Sequence, residues 1–447
     1  MAIPLRVPYS SVRPVIRTLI AAGLEAADPY RAIVKAVSLR GRSLRVGRRL
    51  YDLARFNRLV VAGAGKASAR MAQAMESVLG AKLEGGFVVV KTGHRIPTTR
   101  ITVVEAGHPI PDAAGLRSAE HIRELVRELT PHDLVFVLLS GGASSLLAAP
   151  VPGVTLADKQ RATQLLLRSG AAIGEINAVR KHLSFLKGGG LALSTKATIV
   201  TLILSDVMGD DIATIGSGPT AADPTTFADA ITVLQRYKIW RSVPGGIRRH
   251  LLQGRKGAMP ETLKPGARRL QRVHHAIIGN NSGMLDAVAC AAKQAGFHPI
   301  LLTDTITGEA RVAAGRFVDH AMHLMAGLRR VRRPICLIAG GEPTVTVTGR
   351  GKGGRAQEFA VAAAFHLHGR PKVWLVALGS DGTDGPTDAA GAVVSGRTVT
   401  QAEKNGINLR SALNNHDTYH ALQALGAHIH TGPTGTNVND LYLLLCL

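Results

Sequence analysis

The chain has 447 residues, 46% of them hydrophobic, which is enough for two domains of ordinary size and too much for a single core. Aromatic residues supply only 4% while there are 49 glycines, so the interior must be aliphatic and rich in tight turns, a mix that suits parallel α/β architecture better than a sandwich. The formal net charge of +23 raises nucleic acid, membrane surface and acidic small molecules as partners, but no apolar run reaches the roughly 18 residues of a membrane span, and Cys290, Cys336 and Cys446 lack the spacing of a disulfide framework or zinc site.

At the N-terminus, Arg6, Arg13 and Arg17 precede the first acid, Glu25. A mitochondrial presequence is one reading of that stretch. Against it, Val12, Val15, Ile16, Leu19, Ile20 and Leu24 keep a helical period, as a core-facing first helix should, and only the first ten residues look dispensable. The reducing cytoplasm fits the cysteine usage. The densest basic run, Arg40 to Arg58, holds Arg42, Arg45, Arg48, Arg49 and Arg55 without any nucleic-acid motif, and reads as a solvated face.

From Leu59 onward short apolar runs alternate with amphipathic stretches. Leu59–Ala62, Phe87–Val90, Leu134–Leu139 and Ile199–Leu204 read as buried strands. Between them, Leu116, Ala119, Ile122, Val126 and Leu129 form one helical stripe ending before Pro131. This rhythm predicts a mostly parallel, doubly wound, Rossmann-like sheet. After Tyr237 the pattern weakens into a stretch with Pro244, Gly254, Gly257, Pro260 and Pro265. A boundary there separates an N-terminal domain, 11–250, from a smaller α/β domain, 272–447. In the latter, Ala276–Ile278, Pro299–Leu302, Ile335–Ala339 and Val373–Leu378 read as strands, and Val345–Thr348 as a hairpin arm.

Several loops could carry chemistry. Gly63-Ala64-Gly65-Lys66-Ala67-Ser68 follows a strand and opens a helix, which presents free N–H groups and a positive helix end to an anion, with Lys66 as a mobile cation. It is neither a Walker A loop nor a dinucleotide fingerprint, since Ser68 stands where the third glycine belongs. Gly141-Gly142-Ala143-Ser144-Ser145 repeats the arrangement after the next strand, and either contacts ligand or caps its own helix. Asn177 to Lys187 reads as one helical segment, with Arg180, Ser184 and Lys187 on a common face. Asp206, Asp210 and Asp211 could bind magnesium or accept a hydroxyl proton, although Asp also favours turns. Asp381 lies in a similar cluster, Ser380 to Gly385. Gly353 and Gly354 precede Arg355, a cation in the first turn of a helix, where the macrodipole disfavours it unless an anion neutralises it.

Taken in order, Gly63 to Ser68, Gly107-His108-Pro109, Ser140 to Ser145, Asn177 to Gly189, Ser205 to Thr220, Gly353 to Glu358, Ser380 to Asp388 and Thr431 to Asp440 closely resemble the class II glycerate kinases, or glycerate 2-kinases, with a C-terminal MOFRL domain. The resemblance covers nearly everything after residue 10. It implies an active site in the cleft between two α/β domains, ATP and Mg²⁺ as cofactors and D-glycerate as substrate, with no specific nucleic acid, no membrane, and room for a homodimer. Lys66 and Arg355 occupy the family's functional cation positions. Asp206 is the expected group for orienting or deprotonating the hydroxyl, and Asp206 or Asp210 for the metal. Gly63, Gly65, Ser68, Gly141, Gly142, Ser144, Ser145, Arg180, Lys187, Gly353, Gly354 and Asp381 are the expected nucleotide or substrate contacts. The sequence departs from the family pattern at Ala356, Gly190 and Ser395, which bears on substrate fit more than on reaction class. Two rivals remain: an NAD(P)H-dependent hydroxypyruvate reductase, which would require the missing fingerprint, and a basic nucleic-acid-binding protein, which draws on charge alone.

Overall fold

The computed structural model describes residues 4–9, 11–327 and 334–447, so residues 1–3 and 10 of the expected dispensable segment lie outside the described residues. The chain divides into two compact units: Pro29–Ile278, and Gly279–Leu447 together with the segment before Pro29.

The first unit is built on a six-stranded sheet in the spatial order Ile101–Ala106, Gly85–Lys91, Arg58–Ala64, Asp133–Leu139, Thr198–Leu204, Val273–Gly279. The first five strands pair in parallel. Numbered along the chain this is 3-2-1-4-5-6, the doubly wound order. The inner strands are buried on both faces, as their unbroken Val, Leu and Ile runs require. Helix Ala113–Arg127 covers one face through Ala119, Ile122 and Val126, and its N-cap Asp112 accepts from the Gly115 amide at 2.8 Å. The basic run from Arg40 lies largely on a small antiparallel meander, Val37–Arg40, Ser43–Val46 and Arg49–Asp52, most of whose arginines are exposed.

The second unit holds a mixed sheet in the order His298–Ile306, Ile335–Gly341, Asp440–Cys446, Val373–Gly379, Gly391–Ser395, His428–Ile429. Only its first pairing is parallel. Helix Arg13–Ala26 belongs here, with Ile16, Leu19 and Ile20 fully buried and Gly23 lying against Val288.

Three expectations need correction. The boundary between 250 and 272 differs from the compact units at both ends: the first helix joins the second unit, and the strand expected at Ala276–Ile278 closes the first unit's sheet beside Thr198–Leu204. Hydrogen-bonded strand neighbours, not chain order, decide membership. Val345–Thr348 is no hairpin arm. Thr344 makes an isolated bridge to Glu309, and the Thr346 amide is held by the Glu309 carboxylate at 3.1 Å, so a side chain takes the place of a ladder partner. The helical segment expected to run to Lys187 stops at His182, where Ser184 leaves to bridge Pro150.

Candidate active site

In a doubly wound sheet ligands bind outside the carboxyl ends of the strands, at the point where strand order reverses. Here that point lies between Arg58–Ala64 and Asp133–Leu139, and the two glycine turns leave from these two strand ends. They are locked together. The Lys66 amide donates to Gly141 O at 2.8 Å, and the Ala67 amide to Ser140 Oγ at 3.0 Å. Gly65 has φ +140°, and a Cβ there would lie 2.1 Å from Ser140 Oγ, so the close approach of the turns excludes any side chain. Gly63 lies within its strand, packed on Leu138. Ser68 is fully buried, its hydroxyl 3.4 Å from Leu138 O and from Ser140 Oγ, where it braces the turn.

The groups left facing outward are Lys66, His108, Gly142 and Ser144, all half-buried. The Lys66 ammonium has no hydrogen bond or ion pair among the described residues. Gly142, at φ +86°, leaves room for the His108 ring, which would lie 2.9 Å from a Cβ. Burial, with Lys66 and Lys91 nearby, pushes the His108 imidazole down to about 4, so it is neutral at physiological pH.

Behind this edge lies a chain of polar contacts. Ser144 Oγ is 2.8 Å from Ser217 Oγ, which is 3.2 Å from Asn177 Oδ1. Lys187 Nζ donates to Ser144 O and Oγ, each at 2.5 Å. Ser217 holds φ +62°, a conformation costing a non-glycine residue on the order of 1 kcal/mol, and it places its hydroxyl in this chain. Gly141 is buried, and Ser145 Oγ donates back to Gly142 O at 3.0 Å, inside its own short helix. Arg180 and Lys187 come together although helix and loop supply them separately.

A third cation accompanies them that the sequence reading passed over. Lys159 is 5% exposed, and its ammonium has no hydrogen-bond partner among the described residues. Burial and Arg180 push it down to about 7, while burial, Lys159 and Arg180 hold Lys187 well below the ordinary lysine range. Lys159 shares its helix face, Leu156–Arg168, with buried Ala162 and Leu166. A lysine on an apolar stripe at i, i+3, i+7 was the available signal.

Asp206 and Asp210 follow the Thr198–Leu204 strand and are half-buried, whereas Asp211 caps its own turn through the Ala213 amide and Thr214 hydroxyl. Among the described residues no group of three or more His, Cys, Asp or Glu is placed to hold a metal ion. Two loop carboxylates nevertheless fit magnesium, which commonly takes one or two protein carboxylates and completes its shell with phosphate oxygens and water.

In the second unit, Arg355 opens helix Arg355–Leu367. The anion that its position demands is protein: Nε and Nη2 donate to the Asp440 carboxylate at 2.8 and 3.0 Å, and Nη1 to Glu342 at 2.7 Å. These carboxylates raise the guanidinium above its ordinary range. The free amides of Ala356 and Gln357 are likewise taken, both by Asp384, at 3.0 and 2.8 Å. A Cβ on Gly354 would lie 2.3 Å from that carboxyl carbon, and one on Gly353 2.3 Å from Thr418 Oγ1. Both glycines thus have a packing reason independent of ligand. Asp381 accepts from the Thr383 amide at 3.1 Å, an Asx turn.

Residues 15–252 match a family profile described as a domain of unknown function, DUF4147, and residues 335–440 match the MOFRL family. The chain is 41% identical over 436 residues to a protein named glycerate 2-kinase from Pyrococcus horikoshii, covering 97% of each chain. It is also 41% identical over 440 residues to an Agrobacterium vitis protein that carries a hydroxypyruvate reductase name, covering 97% of this chain and 94% of that one. The crystal structure of a glycerate kinase from Thermotoga maritima superposes with a TM-score of 0.86 at 38% identity, over 98% of this chain and all of the other. Among the described residues no helix is long and apolar enough to cross a membrane.

Proposed function

The chain belongs to the DUF4147–MOFRL glycerate kinase family, and from that premise we propose that it phosphorylates the 2-hydroxyl of D-glycerate from ATP. The observation that carries this reading is the switch point of the first unit, where the Lys66 ammonium has no partner among the described residues and stands beside two interlocked glycine turns. Phosphoryl transfer asks little covalent chemistry of a protein. It needs positioning, and cations for the charge on the transferring group.

In the proposed step the 2-hydroxyl oxygen bonds to the γ-phosphorus as the bond from that phosphorus to the β–γ bridging oxygen breaks, and ADP leaves. The hydroxyl proton passes to Asp206, which also orients the acceptor. Lys66 neutralises phosphoryl charge. Asp206 or Asp210 would hold magnesium, Asp210 where Asp206 takes the proton, and the ion when bound screens the phosphate oxygens. Gly142 offers an amide to the ligand, and Ser144, which donates to Ser217 and accepts from Lys187, positions the Lys187 ammonium behind it, with Arg180 alongside. The His108 imidazole, kept neutral, can donate or accept one hydrogen bond without adding charge.

Arg355 is proposed as the second catalytic cation. Three of its N–H groups are committed to Asp440 and Glu342, which fixes the plane of the guanidinium and leaves two of its five donors. The reductase reading draws on the names of two relatives alone, since the first glycine turn lacks the dinucleotide fingerprint. A coupled assay with D-glycerate, ATP and Mg²⁺, followed by phosphorus NMR of the product, tests the proposal. Formation of 2-phosphoglycerate supports it. NADH or NADPH oxidation with hydroxypyruvate, with no turnover of ATP and glycerate, would replace it.

A further inference from the structure

Among the described residues, the buried Lys181 and the half-buried Arg311 are each paired with a carboxylate: Lys181 meets Asp223 at 3.2 Å, and Arg311 meets Glu358 at 2.9 Å. Lys159, Arg180 and Lys187 break the pattern. Lys187, 1% exposed, bonds only to the neutral oxygens of Ser144. Neither Lys159 nor Arg180 has a hydrogen bond or ion pair among the described residues. The charged groups acting on Lys159 and Lys187 are other members of the trio.

Such an arrangement is unfavourable by itself, because each charge is desolvated and each repels the next. The fold nevertheless enforces it. Helix Leu156–Arg168 is fixed by a capping box between Thr155 and Asp158, immediately before Lys159. It packs on helix Ile173–His182 through Ala162, Leu166, Ile176 and Val179, which share one cluster. The loop that carries Lys187 is held by hydrogen bonds from Gly188 to Ser217 O and from Gly189 to Gly218 O. Three elements therefore press like charges together beside Ser144, where the candidate site opens. A preorganised cluster of this kind is relieved by an anion of matching charge. One carboxylate neutralises one member; a polyphosphate carries enough charge for all three.

We propose that Lys159 completes, with Arg180 and Lys187, a pocket for a phosphoryl group bearing two or more negative charges, rather than for the carboxylate of the acceptor. The inference rests on the reading of this sheet edge as a glycerate kinase site, and it adds Lys159 as a binding residue and the ligand class of the trio. The nucleotide's polyphosphate and the phosphoryl group of a phosphorylated product share that chemistry.

The test uses the full chain and inorganic tripolyphosphate as probe, in calorimetric titrations and thermal melts, with D-glycerate titrated in parallel. Wild type is expected to bind tripolyphosphate and to melt higher in its presence. Lys159→Met should weaken that binding by about tenfold or more, the scale of one charge-assisted contact, while D-glycerate affinity changes by less than about twofold. Lys159→Arg should restore binding. Without ligand, Lys159→Met should melt at or above wild type, because it removes a repelled charge from the interior; Lys159→Gln is the second neutral variant should the first not fold. Parallel titrations with ADP and 2-phosphoglycerate identify the source, and loss confined to either supports the pocket. Unchanged tripolyphosphate binding in both neutral variants, no binding by wild type, or a loss confined to D-glycerate would overturn the proposal. Failure of the kinase reading would show elsewhere, as wild type that turns over no glycerate with ATP.

Discussion

The guanidinium of Arg355 and the carboxylate of Asp440 form a two-point pair, Nε to Oδ2 at 2.8 Å and Nη2 to Oδ1 at 3.0 Å, with Asp440 1% exposed and also accepting from the Tyr442 hydroxyl at 2.9 Å. An arginine set this way has a structural duty in addition to any part in catalysis.

Arg355→Ala should therefore lose stability as well as turnover. It leaves Asp440 buried without its cation, a loss of about 3 kcal/mol for a pair of this kind, and Asp440→Asn in the same background should recover part of it. Urea unfolding of the two single variants and the double variant checks this. An Arg355→Ala protein with wild-type stability would show that the pair contributes nothing net.

Lys66→Ala should behave differently. Its ammonium serves no partner among the described residues, so kcat should fall on the order of 10² to 10⁴-fold with little change in Tm. Wild-type kcat/KM in folded Lys66→Ala would remove the residue from the mechanism.

Gly65→Ala places a Cβ 2.1 Å from Ser140 Oγ and 2.6 Å from Ser140 O at φ +140°. Backbone atoms on both turns must then separate, at a cost of roughly 2 kcal/mol or more. Both melting temperature and turnover should drop, since the Lys66 amide to Gly141 O bond spans the same gap. A variant that keeps both would contradict the close approach.

His428 provides a test of pH dependence. It is buried, stacked on Tyr419 with ring centroids 4.7 Å apart, and its Nε2 has no hydrogen-bond partner among the described residues. Burial and the nearby His430 push its pKa from 6.5 down to about 4. A depressed histidine contributes stability that is present above pH 6.5 and is lost as pH falls toward 4, because the unfolded chain takes up the proton first. His428→Phe keeps an aromatic ring and removes the titration. Its loss of Tm between pH 7 and pH 5 should be smaller than that of wild type, and equal losses would place the acid sensitivity elsewhere.

The reach of the sequence follows from how far each signal extends along the chain. The four strands read at Leu59–Ala62, Phe87–Val90, Leu134–Leu139 and Ile199–Leu204, and the helix stripe from Ala119 to Val126, are local patterns of burial, and the structure places them as expected. Lys66 and the second glycine turn were legible because a strand followed by glycines is also local. The 3-2-1-4-5-6 strand order, which turns those turns into one site, was not, because hydrogen-bonded neighbours such as Ala64 and Leu139 are far apart in the chain. Nor could the sequence identify the anions at Arg355. Asp440 and Glu342 reach it from separate strand ends, and Asp384 from a third segment closes the helix start. Lys159 makes the same point in reverse: its position on an apolar stripe is written in the sequence, but only the packing of two helices and a loop brings it within electrostatic reach of Arg180 and Lys187. Periodicity records which side of an element is buried, and tertiary structure alone decides which buried sides meet.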